Sequence, residues 1–146
     1  MNCPHLLKLS KKNRLSKKGL ATRNAVSQKD LNIALANIAV DALQELKGVD
    51  IVLLDLRDIP EASADFFVIC HGTSSTHISG LSSRVQKNIW EQLGEHPVHI
   101  EGRQSKSWLL LDYFTVVIHL FDNEKRTFYN LEGLWRDAKR TEYENA

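Results

Sequence analysis

Two apolar runs stand almost end to end in the second half of the chain, Trp108-Leu109-Leu110-Leu111 and Val116-Val117-Ile118-His119-Leu120-Phe121. Each is short, rich in aliphatic or β-branched residues and bounded by turn residues, the pattern of a buried strand. With Phe114-Thr115 as the connection, the two pair as an antiparallel hairpin. Trp108, Asp112 and Tyr113 then fall at strand ends, where a large aromatic side chain is expected to be half exposed. The remaining segments are expected to complete and cover this sheet.

Upstream, Ser27-x-x-Asp30 predicts a capped helix start, and Leu31, Leu35, Ile38, Ala42 and Leu46 repeat at helical spacing, with Gly48 as the stop. The run Ile51-Val52-Leu53-Leu54-Asp55-Leu56 reads as a strand covered on both sides, and Phe66-Phe67-Val68-Ile69-Cys70 as a second. Gly72-Thr73-Ser74-Ser75 is a turn with hydroxyls placed to cap another helix. That helix carries Ile78, Leu81, Val85, Ile89 and Leu93 on one side, and Gly94 closes it ahead of Pro97. A short helix is expected from Leu131 to Arg140. The order α-β-β-α-β-β-β-α predicts an α/β fold, a single domain whose mixed β-sheet is flanked by helices.

A chain of 146 residues is long enough to bury a core without disulfides or metals. Its net charge of +1 conceals an asymmetry: eight basic and no acidic residues lie up to Lys29, leaving 11 basic against 18 acidic beyond it. Residues 1–28 therefore read as a basic, disordered extension, followed by a domain over 29–140 and a tail over 141–146. The basic arm has three readings: a contact for a polyanion, a solvated extension, or an organelle transit peptide. Cys3 and Cys70 stand far apart, as reduced thiols of a cytosolic protein would, and Cys70 is expected in the core. No apolar run approaches the roughly 20 residues of a membrane helix.

Candidate chemistry is sparse. The turn at 72–75 offers N–H groups at a helix start, where anions bind, but lacks the Lys of a P-loop; an ordinary cap explains it. A nucleotidyltransferase needs two acids, one residue apart, on one strand face to hold paired metal ions. His99-Ile100-Glu101 supplies one, leaving a zinc or manganese reading without a third ligand. His119 reads as a core histidine. Cys70 and His71, adjacent on a strand, point to opposite faces. No catalytic residue, metal ligand or cofactor is assigned. What does stand out is the set Trp108, Tyr113, Tyr129, Leu131 and Trp135, with Asp112, Glu132 and Arg126 as a polar rim: the composition of a protein-binding face.

These residues resemble the Iojap family, whose bacterial members are the ribosomal silencing factors. The match spans about 31–138 and includes Asp65-Phe66-Phe67-Val68-Ile69, Gly72-Thr73-Ser74-Ser75-Thr76-His77, His99-Ile100-Glu101-Gly102, Trp108 to Tyr113, Val116-Val117-Ile118-His119, and Tyr129-Asn130-Leu131-Glu132-Gly133-Leu134-Trp135. The resemblance implies a nucleotidyltransferase-like fold lacking the catalytic acids. It also implies binding to the large ribosomal subunit through its protein number fourteen, on the face that meets the small subunit. Joining would then be blocked and translation repressed under nutrient limitation. A ribosome-assembly role on the same surface is the alternative, a metal-dependent nucleotidyltransferase-like enzyme the more distant one. Carried over as partner-binding residues are Trp108, Leu109, Asp112, Tyr129, Leu131 and Glu132. The resemblance is compatible with a homodimer in the free state and with a cytoplasmic location, or an organelle matrix if the basic arm is a transit peptide. The arm lies outside the match, and contact with ribosomal RNA is the expectation its charge then carries. Phe114-Thr115 replaces the Gly-Asp of many members, which leaves the turn geometry open.

Overall fold

The computed structural model describes residues 27–145. The basic arm ahead of Ser27, with Cys3, lies outside the described residues. Ser27 Oγ accepts from the Asp30 N–H at 3.2 Å and opens helix α1 (Gln28–Glu45). The helix ends one turn before Gly48. Lys47 takes the left-handed conformation (φ +59°), while Gly48 serves a different need. A Cβ there would lie 2.5 Å from Cys70 Sγ, so glycine is what lets α1 lead into the sheet. Strands β1 (Val49–Asp55) and β2 (Phe66–Gly72) follow, then helix α2 (Ser75–Leu93), capped by Ser74 and closed by Gly94 at φ +67°.

Strands β3 (His99–Glu101), β4 (Trp108–Asp112) and β5 (Val116–Asp122) complete the centre of the sheet. Two short helices, α3 (Asn123–Tyr129) and α4 (Leu131–Leu134), share Asn130 as cap, and β6 (Lys139–Glu142) pairs with β1. The single helix expected over 131–140 is therefore wrong. Its first residues form α4, its last belong to an edge strand, and β6 runs across the boundary drawn after Arg140. The spatial order is β3-β4-β5-β2-β1-β6, with β2 and β5 parallel at the centre and the other pairs antiparallel.

Alternation along the strands divides the core in two. Val68, Cys70, Leu109, Leu111, Ile118 and Leu120 pack beneath α1 and α2. Phe67, Ile69, Trp108, Leu110, Val117 and Phe121 face the other way, covered by Leu56, Ala62 and Ala64 of the loop after β1 and by Leu131 and Trp135. Both faces of β2, β4 and β5 are thus dry, which explains their continuous apolar sequences.

The β4–β5 connection is tighter than the Phe114-Thr115 pair predicts. Thr115 N–H donates to Tyr113 O at 2.9 Å, and Phe114 sits at φ +78°, a γ-turn. A non-glycine residue held there stores about 1–3 kcal/mol of strain. Phe114→Gly releases that strain against about 0.5–1 kcal/mol of added chain entropy in the unfolded state. The expected outcome is a melting temperature raised by a few degrees in thermal unfolding; a fall of similar size would show that the ring's own packing outweighs the backbone.

Candidate docking surface

The corner formed by α3 and α4 stands on β4 and β5. Asp122 Oδ1 accepts from Lys125 N–H at 2.7 Å and starts α3. Arg126 anchors it from below. Its guanidinium meets Glu132 at 2.8 Å, donates to Val49 O at 3.2 Å and to His71 Nδ1 at 3.0 Å, and so ties both short helices to β1 and β2. Tyr129 turns inward, its ring 5.2 Å from the Trp108 indole, which stacks on Phe121 at 4.8 Å. Adjacent helical positions diverge by about 100°, so Phe128 must face out. It is 72% exposed, meets Tyr129 edge-on at 4.7 Å and lies near the Lys125 ammonium; Leu134 on α4 is 45% exposed.

The six residues anticipated as partner contacts do not share one surface. Trp108 is 1% exposed, not half exposed, because the indole faces the second core and its Nε1–H donates to His119 Nδ1 at 3.1 Å. Leu109, buried on the opposite face of the sheet, packs beneath the long helices. Asp112 is buried and accepts from Phe114 N–H at 2.8 Å, and Leu131 is fully enclosed. Only Tyr129 and Glu132 reach the surface, each half-buried. The sequence reasoning missed Phe128 and Leu134. Their signal was present in the step from an inward Tyr129 to its neighbour, but required knowing that 123–129 is helical.

The remaining candidates resolve locally. Thr73 N–H donates to His77 Nδ1 at 3.0 Å, and the Nε2–H of that ring donates to Leu46 O at 2.8 Å. An imidazole therefore occupies the place where an anion would meet the turn at 72–75. His99 Nε2 pairs with Glu101 at the exposed sheet edge. Among the described residues, no group of three or more His, Cys, Asp and Glu side chains is placed to hold a metal ion. Cys70 and His71 point to opposite faces, and burial pushes the Cys70 thiol up to about 12. His119 is fully buried among Phe67 and Trp108, and burial pulls it down to about 3, so it is neutral. His71 is also held below its usual value, by burial and then by the Arg126 charge.

A family model described as "Ribosomal silencing factor during starvation" matches residues 29–146. The chain belongs to the ribosomal silencing factor family. The ribosomal silencing factor RsfS of Halalkalibacterium halodurans is 37% identical over 113 residues, 77% of this chain and 95% of that protein. The mouse "Mitochondrial assembly of ribosomal large subunit protein 1" is 33% identical over 103 residues, 68% of this chain but 44% of its own length. The crystal structure of protein CV0518 from Chromobacterium violaceum superposes with a TM-score of 0.67 at 29% identity, covering 71% of this chain and 85% of that one. The silencing-factor family is named for a regulatory role rather than a catalytic one, and the α/β fold is shared with the solved structure. Among the described residues, no helix is long and apolar enough to cross a membrane.

Proposed function

We propose that this silencing factor binds the large ribosomal subunit through its protein number fourteen and, by occupying the intersubunit face, blocks joining of the small subunit. It acts in the cytoplasm and represses translation under nutrient limitation without catalysing a reaction. The observation that carries this reading is the α3–α4 corner: a member of a family named for ribosome silencing displays Phe128 and Leu134 to solvent on an anchored pair of short helices. Exposed aromatic anchors flanked by charge are what protein-binding hot spots are built from. Tyr129 and Glu132 contribute contacts at its edge. Trp108 and Leu131 act from beneath, by holding the corner in place.

The direct test is Phe128→Asp in co-sedimentation with isolated large subunits. The side chain is mostly in solvent, so the fold is expected to survive with its melting temperature nearly unchanged, while binding weakens by about 2 kcal/mol, roughly thirtyfold. Undiminished binding would remove the corner from the interface. The assembly reading is favoured by the name of the mouse relative and predicts the same loss of binding. It differs in what happens to subunits already complete: a pure assembly helper leaves their joining untouched.

A further inference from the structure

A cleft of about 540 Å³ opens beside α3, outside the carboxyl ends of β2 and β5. Open sheets receive ligands at such ends, because the strands stop and their connections diverge. His71 forms its inner wall and is 8% exposed. Arg126 Nη1 donates to His71 Nδ1, and a guanidinium can only donate, so Nδ1 is the acceptor and the ring proton sits on Nε2. Among the described residues, Nε2 has no hydrogen-bond partner. The Nε2–H is not among the fully buried unpaired donors, so it opens to the cleft and is free to donate to an acceptor that arrives there.

Charge selects what that something is. The lining carries three carboxylates, Asp50, Glu132 and Glu142, against two guanidiniums, Arg126 and Arg140. Arg126 is committed to Glu132, and Arg140 to Glu132 and Glu142. Asp50 is left with the Asn145 side-chain amide at 3.3 Å and no basic partner among the described residues. A phosphate entering here would meet excess negative charge, whereas a cation would find Asp50 waiting.

We infer that this cleft binds an arginine or lysine residue, its cationic head against Asp50 and a neighbouring carbonyl oxygen on His71 Nε2–H. A basic segment of a protein and a free amino-acid derivative share this chemistry. The inference stands apart from ribosome binding, since the titration uses the free protein.

The full chain is titrated with Nα-acetyl-L-arginine methylamide and, separately, with a short Arg/Lys peptide, following heat and the His71 ring resonances. Saturable binding in the millimolar range or tighter is expected, with the His71 signals moving. Asp50→Asn is expected to weaken binding about tenfold, the loss of one favourable charge contact. Asparagine suits this position because Asp50 already sits at φ +51°. The neutral citrulline analogue is expected to bind at least about tenfold more weakly. If only the peptide binds, the source is a protein segment; if both bind, the single residue suffices. No saturation by either probe, equal binding of arginine and citrulline, tighter binding of inorganic phosphate, or indifference to Asp50→Asn would each overturn the assignment.

Discussion

Trp108→Ala is expected to remove about 3–5 kcal/mol of folding stability, the usual cost of truncating a large aromatic side chain in a closed core. The indole stacks on Phe121, backs Tyr129 and donates to His119, and the cavity left behind is walled by strands that cannot collapse into it. For a domain of this size, the melting temperature falls by about 10–20 °C. Ribosome binding by the variant falls as well, since Tyr129 loses its support, but as a consequence of lost packing. Denaturant unfolding checks this. An unchanged midpoint would mean that the indole is a surface group and that the buried second core is wrong.

Stability is also expected to fall steeply in mild acid. The folded chain holds His119 at about 3, against about 6.5 when unfolded. Between these values the unfolded state binds the extra proton, so stability rises with pH. It is complete above about 6.5 and lost as pH falls toward 3, at about 1.4 kcal/mol per unit. His71, lowered for the same first reason, adds to the loss in the same direction. Going from pH 7 to pH 5 should therefore cost about 2 kcal/mol from His119 alone. His119→Gln keeps an acceptor for the Trp108 Nε1–H and does not titrate. Its stability, measured by denaturant unfolding across this range, should lose most of the slope. An identical slope in wild type and variant would place the titration elsewhere.

Much of the fold was legible in the sequence because it follows from local chemistry. Ser27 and Ser74 cap helices where a hydroxyl precedes an apolar repeat, Gly94 ends one, and the continuous runs of β2, β4 and β5 announce strands covered on both sides. Two elements were not legible, for opposite reasons. Asn-Glu-Lys-Arg-Thr-Phe-Tyr has too few apolar residues to show a helical stripe, and α3 is held chiefly by the Asp122 cap and the buried Arg126, a tertiary contact. Lys-Arg-Thr-Glu carries no strand pattern because β6 is an edge whose side chains are all exposed; it is defined by backbone pairing to β1 alone.

The site suffered from the same gap. Without α3 and α4 in view, nothing covered the far side of β4, and Trp108 looked half exposed. With them in place, Trp108 and Leu131 become the base of the corner and Phe128 its outward anchor. Asp112 lies buried at the end of β4 and carries a turn hydrogen bond from Phe114 N–H. Of the residues carried over by the resemblance, burial encloses Trp108, Leu109, Asp112 and Leu131 and leaves Tyr129 and Glu132 half-buried at the surface.

The central claim is steric, and subunit joining tests it most directly. Large subunits are loaded with the protein, small subunits are added, and the joined particles are resolved by sedimentation. The account predicts that joined particles decline in proportion to bound protein and that Phe128→Asp restores them. Wild-type protein travelling with fully joined particles would contradict it.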